Sequence, residues 1–330
     1  MKEPSDQDLI DLLSRQEAIG EVVKLSRRPY RYATSAPLEE LHVETAAGPE
    51  MDLIFKDLFR ERLLGDAGAT KPEFLHLPER EIETYRHILT PAGIGPRCVA
   101  TISEPPDRYW LVIEKVPGVE LWQIGELSLW EEVARWLGGF HSTFAGRLDE
   151  ARSANPHLLD LSPEWFESWC RRAMERLDES EDRRARALRS ELQGYGGVVS
   201  ALTALPRTLV HGELYPSNVL VVRANPPRIC PVDWEMSGIG PGLVDLAALV
   251  GGWGEAERRR LIAAYLDGSG DPAREPEELV EDLDRCRLHL ALQWLGWSAD
   301  WRPPEEHAHD WLGEALALAQ ELRLGRGTQP

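Results

Sequence analysis

Leu209-Val210-His211-Gly212-Glu213-Leu214-Tyr215-Pro216-Ser217-Asn218-Val219-Leu220-Val221-Val222 opens the stretch that decides the reading of this chain. It continues after a turn as Ile229-Cys230-Pro231-Val232-Asp233-Trp234-Glu235 and closes with Gly238-Ile239-Gly240-Pro241-Gly242 and Asp245-Leu246-Ala247. Two short apolar runs, Val219 to Val222 and Ile229 to Val232, flank Arg223 to Arg228, which holds Asn225, Pro226 and Pro227. That pattern predicts a β-hairpin. A polar loop enters the first strand and an acid leaves the second, so the hairpin gathers Glu213, Asn218 and Asp233 at one end. Two carboxylates and an amide so placed can hold a hard cation such as Mg²⁺ through oxygen. One carboxylate remains to meet a substrate hydroxyl.

These residues resemble the catalytic loop and metal-binding segment of the aminoglycoside phosphotransferase and choline kinase superfamily, which shares the protein-kinase fold. The family pattern is His-Gly-Asp-x-x-x-x-Asn, a strand, a turn, then Asp-x-Glu or Asp-x-Gly. The spacing matches, and the Glu213 to Asn218 interval is that of the protein-kinase catalytic loop. One residue departs: Glu213 stands where the family has Asp. The resemblance implies an α+β, two-lobed, protein-kinase-like fold, with a small antiparallel-sheet lobe and a larger, mainly helical lobe.

Upstream, Leu9, Leu12, Leu13, Ile19, Val22 and Val23 recur at helical spacing over Ser5 to Leu25, with Ser5 as cap. Arg27 to Ser35, Leu41 to Glu44 and Met51 to Leu58 read as strands of a small antiparallel sheet, with a turn at Gly48-Pro49. Ile54, Lys56 and Leu58 fall on one strand face, because strand side chains alternate. A lysine there fits the family position that grips nucleotide phosphates. Pro78 to Leu89 starts as a helix, with proline at its head and acids in its first turn. It looks like the family segment whose second Glu pairs with the lysine, which points to Glu81, with Glu83 as the alternative.

The family's glycine-rich loop falls on Ala33 to Glu40, which contains no glycine. Phosphate contact there would use Ser35 and its backbone. Tyr109 to Lys115 is a strand running into Val116-Pro117-Gly118 and resembles the family hinge, where the backbone of Glu114 and Val116 meets the nucleobase edge. This sets the expected boundary: a nucleotide-binding lobe over 1–117 and a catalytic, substrate-binding lobe over 118–330.

Beyond it the chain reads as helices over Leu127 to Phe144, Pro163 to Leu177, Arg183 to Leu205, Pro241 to Gly252, Glu255 to Leu266 and Pro276 to Trp297, with a last helix ending at Leu322. His141 reads as structural. Asp245 matches the family's Asp that accepts backbone amides of the catalytic loop. Trp294, Trp297, Asp300, Trp301, Glu305, Glu306, Asp310 and Trp311 either line an acceptor site or pack helices beside a solvated acidic face.

Composition sets the outer bounds. The chain has 330 residues, 42% hydrophobic and 28% charged, enough for a sizeable core. No apolar run reaches about 18 residues, and Met1 to Leu12 is polar and acidic, so no membrane span or signal peptide is expected. Cys98, Cys170, Cys230 and Cys286 have no zinc-ligand spacing and read as reduced thiols of a cytoplasmic protein. A net charge of −19 argues against nucleic acid or an anionic membrane as partner. It is compatible with a cationic substrate.

The resemblance assigns Lys56 and Glu81 to the phosphates of ATP or GTP, and Asn218 and Asp233 to Mg²⁺. Glu213 meets the acceptor hydroxyl, His211 braces the loop, and Glu235 either touches metal through water or is structural. The expected activity is phosphoryl transfer to a hydroxyl of a small molecule, cationic or ring-bearing, with antibiotics, choline and sugars among the family's acceptors. The alternative is a non-catalytic nucleotide binder. A protein kinase is disfavoured, because no activation segment ending in Ala-Pro-Glu is recognisable.

Overall fold

The computed structural model describes residues 3–30, 36–65, 67–271, 273–297 and 309–325. The chain divides into two compact units. Unit 1 is Met1–Gly118 with two short returns, Ala154–His157 and Cys230–Glu235. Unit 2 is Val119–Ser153, Leu158–Ile229 and Met236–Pro330.

Unit 1 is built on an antiparallel five-stranded sheet: β1 (Val22–Pro29), β2 (Leu38–Thr45), β3 (Met51–Asp57), β4 (Cys98–Glu104) and β5 (Arg108–Glu114), in the order β1-β2-β3-β5-β4. Strand alternation puts Leu41, Val43, Leu53, Phe55 and Val112 on one face. The helix Asp6–Ser14 lays Leu9, Leu12 and Leu13 against them. That helix is opened by a capping box in which Ser5 and Asp8 satisfy each other's backbone N–H. It stops at Ser14, shorter than the expected run to Leu25. Gly20 takes φ +77°, and the β-branched pair Val22-Val23 starts β1 instead. The expected strand Arg27 to Ser35 is therefore only the end of β1, and residues 31–35 lie outside the described residues.

The expected helix Pro78 to Leu89 is also interrupted. Pro78–Glu83 is α-helical, and Thr84–Leu89 widens into π-type turns. At the junction, Asn155 donates to the Arg80 carbonyl and the Thr84 hydroxyl, both at 2.9 Å. A side chain inserted at this point accounts for the widened ladder. Glu81, Tyr85 and Ile88 are all buried.

Unit 2 is mainly helical. Its principal helices are Leu127–Ala145, Pro163–Asp178, Arg183–Glu191, Tyr195–Ala204, Leu243–Leu249, Glu255–Ser269, Glu277–Leu295 and Trp311–Glu321. Leu127–Ala145 and Glu255–Ser269 approach so closely that a Cβ at Gly268 would lie 1.8 Å from the Arg135 carbonyl oxygen. The expected single helix Arg183 to Leu205 breaks at Leu192–Gly194, where the Leu324 carbonyl occupies the space a side chain at Gly194 would need. The short strands β7 (Leu159–Asp160), β8 (Arg207–Val210) and β11 (Gly238–Pro241) pair in the order β7-β11-β8. β9 (Val219–Val222) pairs with β6 (Val119–Glu120), and the hairpin partner β10 (Arg228–Pro231) follows it, ending in residues that belong to unit 1. Among the described residues, no helix is long and apolar enough to cross a membrane.

Candidate active site

In unit 1, β3 carries Lys56 on the face opposite Leu53 and Phe55, with only 7% of the residue exposed. Burying an ammonium is costly unless opposite charges and hydrogen bonds compensate. Here they do. Lys56 Nζ lies 2.8 Å and 3.0 Å from the two Glu81 oxygens and 2.5 Å from Asp233 Oδ1. Burial opposes the charge on Lys56, but Asp233, Glu81 and Glu235 outweigh it and hold the ammonium well above its ordinary pKa. Burial pushes the Glu81 carboxyl up to about 7, against the pull of Lys56. The other glutamate of the helix, Glu83, is an outlying group that meets His87 at 2.9 Å. Geometry thus separates the two helical glutamates: Glu81 faces the lysine and Glu83 does not.

Asp233 reaches this cluster because Cys230–Glu235 packs as part of unit 1. It has φ +66°, in the left-handed region that Asp tolerates better than most residues. Its side chain is 32% exposed, against 9% for Lys56 and 2% for Glu81. Two residues on, Glu235 forms an ion pair with the buried Lys71. Arg80, also buried, donates to the carbonyls of Leu75, His157 and Glu235. Glu114 closes β5: its N–H donates to the Arg97 carbonyl at 2.9 Å, and Val116 beyond it is buried. Ser35 lies outside the described residues.

In unit 2 the loop after β8 is anchored by a single carboxylate. Asp245 is fully buried in the first turn of Leu243–Leu249. It accepts the backbone N–H of His211 at 2.7 Å and of Gly212 at 2.9 Å, and His141 Nε2 lies 3.2 Å away. His141 Nδ1 meets the Tyr265 hydroxyl at 3.1 Å, so both ring nitrogens are engaged. Gly212 takes φ +85°, and a Cβ there would stand 2.3 Å from the Met236 carbonyl oxygen, so only glycine fits. The Glu213 N–H donates to His211 Nδ1 at 3.3 Å, which makes Nδ1 the acceptor and leaves the proton of a neutral ring on Nε2. The Glu213 carbonyl accepts from the Tyr215 N–H at 2.7 Å and from the Asn218 carboxamide at 3.0 Å. Glu213 is thereby fixed through its backbone from both sides. The structure gathers His211, Glu213, Asn218 and Asp245 in unit 2, and Lys56, Glu81 and Asp233 in unit 1.

Tyr215 extends the loop toward an aromatic group. Trp294 Nε1 donates to its hydroxyl at 2.5 Å, and burial holds the phenol well above its ordinary pKa. Trp294 stacks on Trp311, with centroids 5.5 Å apart, and lies 6.1 Å from Trp297. Asp310 caps Trp311–Glu321 and pairs with Arg184 at 2.7 Å, so it serves as a helix cap. Asp300, Trp301, Glu305 and Glu306 lie outside the described residues.

Sequence reasoning passed over Lys71, Arg80, Asn155 and the contact of His141 with Asp245. Each has a partner remote in the chain: Glu235 for Lys71 and for Arg80, Arg80 and Thr84 for Asn155, and Asp245 for His141. The one local signal was the polar spacing of Glu79-Arg80-Glu81 on a helix that must also bury a face.

No curated protein sequence matches the chain. Solved structures do match over nearly its whole length. Aminoglycoside 2′-phosphotransferase-IIIa, solved as a GDP complex, is 16% identical with a TM-score of 0.57, over 96% of this chain and 98% of its own. Ethanolamine kinase from Plasmodium vivax is 14% identical with a TM-score of 0.57, over 90% of this chain and 81% of its own. Choline kinase LicA from Streptococcus pneumoniae is 15% identical with a TM-score of 0.56, over 97% and 98%. At these identities the likeness is one of fold, the α+β protein-kinase-like architecture. The model of the phosphotransferase enzyme family matches residues 42–289, well over half of the sequence, and the chain belongs to that family.

Proposed function

We propose that this protein transfers the γ-phosphoryl group of ATP or GTP to a hydroxyl of a small molecule in a Mg²⁺-dependent reaction. The observation that carries the reading is the buried Lys56, held between Glu81 and Asp233. A lysine so oriented keeps its charge and is pre-positioned for a polyphosphate, and Glu81 fixes its direction. The backbone of Glu114 and Val116 takes the nucleobase edge, and Ser35 belongs to the loop assigned to the phosphates.

The donor chemistry suits the metal. Asn218 spends its NH₂ on the Glu213 carbonyl, which makes the carboxamide oxygen its ligating atom. Asp233 is the most exposed carboxylate of its cluster. Both are hard oxygen donors of the kind Mg²⁺ prefers. Bound there, Mg²⁺ would supply charge neutralisation to the transferring phosphoryl group.

Glu213 is the residue we assign to the acceptor hydroxyl, accepting or orienting its proton. Glutamate is one methylene longer than aspartate, and a misplacement of about 1 Å at a catalytic group can cost about 10²-fold. The loop counters this by fixing the Glu213 backbone through His211, Tyr215 and Asn218. Asp245 orients that loop and takes no part in the chemistry. The acceptor we propose is cationic or ring-bearing, with hydroxylated antibiotics as the leading class. Support comes from the rings of Tyr215, Trp294 and Trp311, which continue from the Glu213 loop, and from the aminoglycoside phosphotransferases among similar folds. The choline and ethanolamine kinases among them support small amino alcohols as the next class. The reading places the protein in the cytoplasm, with its nucleotides.

Glu213 itself favours one rival, a nucleotide binder without transferase activity. The two separate in an assay of Mg²⁺-dependent transfer from ATP and from GTP to a panel of hydroxyl compounds. Wild type should transfer, and Glu213→Asp should retain activity. Glu213→Ala should fall by about 10²- to 10⁴-fold, and Asp233→Ala should be inactive. A wild-type protein that binds nucleotide but phosphorylates nothing on the panel would mean the enzyme reading is wrong.

A further inference from the structure

The resemblance leaves Glu235 either a second metal-binding acid or a structural group. The surroundings of Glu235 within unit 1 decide between them. Its side chain contacts the Lys71 ammonium, and the Lys71 side chain is 6% exposed. The Lys71 backbone is itself tied down: Arg60 donates to its carbonyl at 2.9 Å and to that of Gly68 at 3.0 Å. From the other direction, Arg80 donates to the Glu235 carbonyl at 2.8 Å. Arg80 is held by the carbonyls of Leu75 and His157, and Asn155 donates to the Arg80 carbonyl. Glu235 is thus gripped at its carboxylate and at its main chain by two buried cations.

A carboxylate in contact with a buried ammonium has most of its field cancelled. A divalent cation brought to it would meet the repulsion of Lys71 at short range in a medium that screens poorly. Asp233 differs. It shares Lys56 with Glu81, so that one ammonium faces two carboxylates, and its side chain is more exposed than that of Glu235, 32% against 19%.

We propose that Lys71 is a positioning residue. It withholds Glu235 from metal and, with Arg80, sets the Asp233-Trp234-Glu235 turn so that Asp233 is the only carboxylate of the turn that ligates. The inference rests on the phosphotransferase reading for the existence of the metal–nucleotide site, though not on its acceptor.

The test is Mn²⁺ binding in the presence of ADP, followed by the Mn²⁺ paramagnetic resonance signal and by calorimetry, on the full chain. Asp233→Asn should weaken Mn²⁺ binding by at least about ten-fold, the scale expected of a ligand or its close support. Glu235→Gln should leave it within about three-fold of wild type. Lys71→Met frees a carboxylate beside the site and should tighten Mn²⁺ binding several-fold. Adding Glu235→Gln to Lys71→Met should cancel that gain, and Lys71→Arg should behave as wild type. A merely structural lysine would not produce a gain that a second substitution reverses. Should Lys71→Met fail to fold, Lys71→Gln takes its place, with the same gain and the same reversal by Glu235→Gln expected. The inference is overturned if Glu235→Gln weakens Mn²⁺ as Asp233→Asn does, or if a folded Lys71→Met binds it no better than wild type. A wild type that binds ADP and Mn²⁺ under either of those outcomes keeps the phosphotransferase reading and loses only this one. A wild type that binds neither loses both.

Discussion

The Lys56 cluster of unit 1 and the Asp245-anchored loop of unit 2 solve one problem, holding a functional side chain still, by different physics. In unit 1 the restraint is charge against charge: Lys56 against Glu81 and Asp233, and Lys71 against Glu235. In unit 2 one buried carboxylate collects neutral donors, the N–H groups of His211 and Gly212. Glu213 is then fixed through its backbone N–H and carbonyl. A buried ion pair is unforgiving of losing one member, because the other is left uncompensated. The backbone cradle rests on the shape of the loop and on the one buried carboxylate, Asp245, that holds it.

The sharpest break in this contrast is Lys56→Met. It leaves Glu81 and Asp233 facing each other without their cation. We expect unit 1 to lose about 3–5 kcal/mol of stability and transfer to fall by about 10²-fold or more. Urea unfolding and the transfer assay read the two effects. Glu83→Gln, which removes the outlying pair with His87, is the matched control and should change stability by less than about 0.5 kcal/mol. Equal losses in the two variants would show that burial of the charges is not what matters.

Acid should act on unit 2 through a residue outside the site. His289 is fully buried, with the Phe166 ring 4.6 Å away and the Tyr195 hydroxyl at 3.4 Å. Burial lowers its pKa to about 3, so it folds neutral. Its folded value lies below the unfolded one of about 6.5. Its contribution is therefore intact above pH 6.5 and is lost as pH falls toward 3, at about 1.4 kcal/mol per pH unit. The urea midpoint should drop between pH 6.5 and pH 4, and His289→Gln should flatten that part of the slope. An unchanged slope in the variant would clear His289 of the effect.

The smallest of the three changes tests shape alone. Gly212→Ala adds no charge but places a methyl group 2.3 Å from the Met236 carbonyl at φ +85°. We expect a loss of about 2–3 kcal/mol. Transfer should fall while nucleotide binding stays near wild type, since Lys56 is untouched. A fall in nucleotide affinity as large as that of Lys56→Met would erase the distinction between the two modes of support.

Much of this molecule was legible along the chain because the signals are local. Alternation marks β3 and its lysine, and Pro78 with its first-turn acids marks a helix start. The spacing from His211 to Asn218 is carried by a single loop. One error has a local cause and one a remote cause. The helix expected over Ser5 to Leu25 overruns the start of β1 because Val22 and Val23 continue a helical period beyond Gly20. The helix expected over Arg183 to Leu205 is broken at Leu192–Gly194, where the Leu324 carbonyl, far along the chain, packs against Gly194.

The sequence by itself determined the family pattern, the strand face of Lys56, and a short list of carboxylates. Each of these follows from residue type and short-range spacing, which the backbone periodicities turn directly into geometry. Only the tertiary structure set Glu81 against Lys56 and left Glu83 with His87, joined Asp233 to Lys56 across 177 positions, and joined Glu235 to Lys71 across 164. It also set Asn155 onto Arg80, 75 positions away in the helix that carries Glu81, and Trp294 onto Tyr215 across 79. A charge on a helix or a loop has many possible partners in sequence. Burial leaves it only the one that folding brings within reach, because an ion without such a partner could not stay inside.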